Sequence, residues 1–255
     1  SDPPTHPGIA HLVEHLMVRD SGLEARIDTL GGTLSAYTAP DYTRYSTTVS
    51  PDALEDALRI LTPVSLQEST LASVRRVVAE ELAQRGGYTA RLRALIDAAY
   101  WRTHPYAAAA GWMMVDPDTL TASACARFIE THYRPDAAHL VIVGPIEPDA
   151  ALQTIEAVYG ELQPSGTVTG AVTHAPPTDI TLRTGPSAVR LAGLIWSLPP
   201  TGHPDQPALS LLLSGVHAEA PALMSGALSA GGHVSWGREG SRLLLSGVYS
   251  AVRTC

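Results

Sequence analysis

HLVEHLM, residues 11–17, sets two histidines and a glutamate into an otherwise apolar run. At about 100° per residue, a helix carries Ile9, Leu12, Val13, Leu16 and Met17 on one side and His11, Glu14 and His15 on the other. The apolar side predicts a contact with a core. The polar side needs its own account, because two imidazoles four residues apart on one helical face can present nitrogen atoms to a single ion. The plain alternative is a solvated face, which suffices for most His-x-x-x-His pairs.

The glutamate between the histidines shifts that balance. A catalytic zinc needs three protein ligands, an open position for water and a base that takes the water's proton. Glu14 points to the same side as His11 and His15, and the order H-x-x-E-H is that of the inverted zincins. A third ligand is sought in LASVRRVVAEELAQR, residues 71–85. There Leu71, Val74, Val77, Val78 and Leu82 form the apolar face, Glu81 falls at its edge and Glu80 points away. A carboxylate turned toward a core is costly unless a positive group meets it, so Glu81 is the better ligand. Its alternative is a partner for a buried arginine; Glu80 reads as solvated.

With these residues in place, the chain resembles the insulinase, pitrilysin and mitochondrial-processing-peptidase family of inverted zincins. GIAHLVEHLM is similar to the family's metal helix, and LGGTLSAYTAPDYTRYSTTV to its glycine turn and active-site edge strand. VRRVVAEEL is similar to the helix of the third ligand. THPYAAAAGW, FIETHYRPDAAHLVIVGPIEPD and VYGELQP follow in the family's order, so the likeness covers most of residues 7–164.

The resemblance implies that His11, His15 and Glu81 bind Zn²⁺ and that Glu14 is the general base of a zinc endopeptidase. It implies a peptide substrate that adds as a strand to the edge Thr33–Thr38, with Thr33, Ser35, Ala36 and Tyr37 as substrate-binding residues. It also implies a second peptidase-family subunit, in a heterodimer or homodimer, that closes a chamber and contributes an arginine and a tyrosine. Arg238, Arg242 and Tyr249 are the residue types available for that pair here, and they read as ordinary surface or strand positions. The chain departs from the pattern at Val74, where the family often has a second glutamate, and no strand precedes the metal helix. A non-catalytic member acting as scaffold or partner subunit is the rival reading. It gives no physical reason for a base between the ligands.

The fold class expected is α+β, with a mostly antiparallel sheet flanked by helices. Residues 1–164 read as a zinc-binding catalytic domain, 165–179 as a linker dense in Pro, Gly and Thr, and 180–255 as a partial second domain of similar fold. SGLEARIDTLGG predicts a helix with a glycine stop, and AHLVIVG, ITLRT, SAVRLAGLIWSL and SRLLLSGVYSAV predict strands. Gly231 and Gly232 predict a turn, and His104 a turn start before Pro105.

At 255 residues and 45% hydrophobic content, the chain can bury a sizeable core. A net charge of -8, with every one of the 17 basic residues an arginine and no long basic run, argues against a nucleic-acid partner. No apolar run has the length of a membrane span, and SDPPTHPG lacks the pattern of a signal peptide. Two cysteines build neither a disulfide framework nor a thiolate zinc site, and the expectation is a cytoplasmic location.

Overall fold

The periodicity around HLVEHLM is realised in helix α1, Ile9–Asp20, whose Ile9, Leu12, Val13, Leu16 and Met17 are all buried. The computed structural model describes residues 2–20, 22–62, 68–110, 115–163 and 189–250. The start of α1 is held by Asp2, a buried carboxylate. Its Oδ1 accepts the Ala10 N–H at 2.9 Å and its Oδ2 accepts that of Gly8, so two of the donors that a helix N-terminus leaves unpaired are satisfied. Burial pushes the Asp2 carboxyl up, against the pull of those two N–H groups. Asp2→Ala is expected to cost about 1–2 kcal/mol, read as a lower denaturation midpoint at unchanged slope.

Helix α2, Leu23–Thr29, leads into the hairpin of β1, Thr33–Thr38, and β2, Thr43–Thr48. The glycine stop acts through backbone geometry. Gly31 takes a φ of +68°, its N–H donates to Asp28 O, and the Gly32 N–H donates to Ile27 O, which also accepts from the Leu30 N–H, so the last carbonyls of the helix are paired. Gly32 has a second constraint, since a Cβ there would lie 2.7 Å from Thr48 O and from Val49 Cγ1. The strands pair antiparallel from Thr33 with Thr48 to Thr38 with Thr43, and exposure alternates along both. Leu23 and Ile27 pack with Ala57 and Ile60 of α3, Leu54–Ile60, while Leu34, Tyr45 and Val49 lie against that cluster.

Helix α4, Glu68–Arg85, buries Leu71, Val74, Val78 and Leu82. Helices α5, Tyr88–Trp101, and α6, Pro105–Ala110, come next, then α7, Ala122–His132, and α8, Pro148–Tyr159. The run AHLVIVG is not a strand. Leu140, Val141 and Val143 are exposed, and among the described residues the segment has no neighbouring strand to pair with.

The chain divides into two compact units. One comprises the described residues of Ser1–Gln84 and Met114–Gly170, and the other those of Arg85–Met113 and Ala171–Cys255. Thus α5 and α6, which the sequence reading places with the first domain, group with the later strands. The expected linker 165–179 and the expected strand ITLRT lie outside the described residues.

In the second unit β3, Val189–Leu198, and β4, Ser229–Ser235, flank the central β5, Ser241–Ser250, and both pairings are antiparallel. Residues 241–247 are buried without interruption, the apolar Leu243–Leu245 together with the polar Ser241, Arg242 and Ser246. Gly231 and Gly232 lie inside β4 rather than in a turn. The physical reason is the approach of α9, Gln206–Ala218: His217 Nδ1 sits 2.9 Å from Gly232 O, and a Cβ on Gly232 would already touch that imidazole at 3.4 Å.

Polar contacts tie α5 and α6 to this sheet. Tyr100 OH is 2.7 Å from Ser197 Oγ, and the Arg242 guanidinium pairs with Asp97. His104 is buried, with Nε2 at 3.2 Å from Glu239, and the Glu239 N–H donates to Tyr106 OH at 3.1 Å. His104 does precede a turn into α6, and its ring is also a core contact.

Candidate active site

Helix α1 turns His11, Glu14 and His15 toward α4, which presents Glu81. Glu81 Oε2 lies 3.1 Å from His15 Nε2 and 3.6 Å from His11 Nε2. The two imidazoles meet edge to face at a centroid separation of 4.8 Å. All three side chains are partly buried, and one ligand atom from each falls within 4.8 Å of the others. Donors about 2.0–2.1 Å from one tetrahedral ion lie about 3.3 Å apart, a value bracketed by the two carboxylate–imidazole distances. Two imidazole nitrogens and one carboxylate oxygen are zinc donors by type as well as by spacing. The partly buried carboxylates of Glu81 and Glu14 add negative charge that a divalent cation offsets.

Neighbouring residues sort as the helical face requires. Glu80 is exposed and pairs with Arg76 at 2.8 Å, one turn away. Val74, which stands where the resemblance places a second glutamate, is fully buried and packs as core. Glu14 is buried, and its carboxylate accepts a hydrogen bond from Thr38 Oγ1 at the end of β1.

Behind this contact lie Thr43 Oγ1, 3.4 Å from Thr38 Oγ1, and the phenols of Tyr45 and Tyr133, 2.8 Å apart. Burial pushes both phenols well up, and the charge of Glu14 adds to the shift. The sequence reading did not find Thr38, Thr43, Tyr45 or Tyr133. The first two carry a weak signal, as facing threonines at a hairpin end. Tyr133 carries none, being 88 residues from Tyr45 in the chain.

The four candidate substrate residues share β1. Thr33, Ser35 and Tyr37 are exposed, Ala36 is half-buried opposite Tyr45, and the Tyr37 ring lies 6.4 Å from that of Tyr42. Among the described residues β1 pairs only with β2, which leaves its other edge without a ladder. In the second unit, Arg242 is buried against Asp97, Arg238 is exposed beside Glu239, and Tyr249 lies opposite Arg190 in the β3–β5 ladder.

The model of the insulinase family, peptidase family M16, matches residues 1–110, and that of the peptidase M16 inactive domain matches residues 119–215. The chain belongs to peptidase family M16.

Among its M16 relatives is the peroxisomal insulin-degrading enzyme-like 1 of Arabidopsis thaliana, 25% identical over 80% of this chain and 23% of the relative. The mitochondrial-processing peptidase subunit beta of Caenorhabditis elegans is 25% identical over 61% of this chain and 36% of its own length. The fold matches a protease from Helicobacter pylori with a TM-score of 0.79 at 21% identity, over 98% of this chain and 66% of that one. The chain therefore spans a quarter to a third of the length of these two sequence relatives. Its α+β architecture, with antiparallel sheets, is that of the M16 peptidase domains it matches.

Proposed function

We propose that this M16 chain carries the zinc-binding half of a metalloendopeptidase. The observation that carries the reading is the convergence of His11, His15 and Glu81 with Glu14 buried beside them. His11, His15 and Glu81 would hold a zinc ion, which would supply polarisation of a peptide carbonyl and a lowered pKa for water. Glu14 takes a proton from the water whose oxygen bonds to the carbonyl carbon and returns it to the amine as the C–N bond breaks. The edge of β1 at Thr33, Ser35, Ala36 and Tyr37 binds an extended peptide through main-chain hydrogen bonds, which favours unfolded segments over a fixed sequence.

A second peptidase-family subunit, identical or different, completes the chamber. One observation supports this: a relative is named as the beta subunit of a mitochondrial-processing peptidase.

The test joins elemental analysis of the purified chain with cleavage of a quenched fluorescent peptide library, with and without chelator. About one zinc per chain is expected, with cleavage lost on chelation and restored by added zinc. Zinc without cleavage favours the scaffold or partner-subunit reading, for which the match to an inactive-domain model is the motive. Absence of zinc overturns the metal site.

A further inference from the structure

A general base works only if its carboxylate is held within reach of the proton it removes, so what fixes Glu14 matters as much as its identity. Thr38 Oγ1 donates to Glu14 Oε2 and lies 3.4 Å from Thr43 Oγ1, its cross-strand partner. Behind them the hydroxyl of Tyr133 is 2.8 Å from that of Tyr45.

Each of these hydroxyls has one proton, and an ionised carboxylate only accepts. The Thr38 proton is committed to Glu14, so Thr43 must donate to Thr38. The order Thr43, Thr38, Glu14 therefore has a single direction, fixed by the carboxylate at its end. Both phenols stay protonated, because burial and the nearby negative charge disfavour their ionised forms.

We infer that Thr38 is a positioning residue for Glu14, oriented by the Thr43 hydroxyl beside it, and that it ties the base to the strand that receives the peptide. This inference rests on the general-base reading above. Loss of the Thr38 hydroxyl frees the carboxylate to rotate without removing a ligand of the metal or an edge of the sheet.

The test compares Thr38→Val, which keeps shape and branching, with Thr38→Ser, which keeps the hydroxyl. In the zinc-loaded full chain Thr38→Val is expected to lower kcat by about 10–100-fold while KM and zinc content stay near the parent values. Thr38→Ser restores most of kcat. A second readout needs no catalysis. In the metal-free full chain the denaturation midpoints of Thr38→Val, Glu14→Ala and the double variant are expected to be non-additive, since each single change removes the same bond.

Parent-like kcat in Thr38→Val, failure of Thr38→Ser to recover it, or additive midpoints would overturn the inference. A parent chain that binds zinc and cleaves nothing removes the general-base reading instead. The midpoint comparison then still decides whether Thr38 holds Glu14.

Discussion

Glu14→Gln is expected to lower the peptide cleavage rate by about 10²–10⁴-fold while zinc stays bound at the parent level. The amide keeps the size of the carboxylate and can still accept from Thr38, so the buried pocket is preserved. It cannot take a proton from water, and that step is all the substitution removes. His11→Ala marks the other side of the comparison. It leaves Glu14 intact and deletes one of three donors gathered within 4.8 Å, so metal and cleavage should fall together. Elemental analysis and library cleavage, run on both variants, separate the two roles. Undiminished turnover in Glu14→Gln would sink the base assignment, and undiminished zinc in His11→Ala would sink the ligand assignment.

Asp97→Ala is expected to have the largest effect on stability, about 3–5 kcal/mol. The Arg242 side chain is only 3% exposed, and its Nε and Nη1 have no hydrogen-bond partner among the described residues, where Asp97 is the group that pairs with its charge. Burial pushes the Asp97 carboxyl up and the Arg242 guanidinium down, and the attraction between them restores only part of each shift. The intact pair therefore adds little net stability. Removal of one member leaves a buried, uncompensated charge, and that is the source of the cost. The double replacement Asp97→Ala with Arg242→Met should recover much of the loss. Chemical denaturation of the three variants measures both effects, and a double variant no better than Asp97→Ala would show that packing, not charge, is lost.

The parts of this molecule that were legible in the sequence are those set by short-range periodicity. Five apolar positions of α1 sort to the core, Glu81 and Glu80 separate to the inner and outer sides of α4, and the two glycines close α2. The three candidate ligands come together although 66 residues lie between His15 and Glu81, because two helix faces, each readable alone, meet.

Other features depend on partners that no local pattern names. AHLVIVG has strand composition, yet strand formation needs a neighbour. Gly231 and Gly232 look like a turn until α9 presses on β4. Polar pairs that join α5 and α6 to the later sheet, such as Tyr100 with Ser197 and His104 with Glu239, leave no periodic trace. Thr38 is invisible as a support for Glu14 for the same reason.

Those polar pairs also bear on how the protein is made. Tyr100 and His104 leave the ribosome 97 and 135 residues ahead of their respective partners. At 5–20 residues per second that is a delay of about 5–27 s, in which Trp101 and Tyr106, buried in the finished fold, have no sheet to cover them. Meanwhile the segment that carries α7 and α8 emerges and belongs to the other unit. The nascent chain must hold an aromatic cluster in reserve while a different core closes, which makes this stretch the natural client for a chaperone during synthesis.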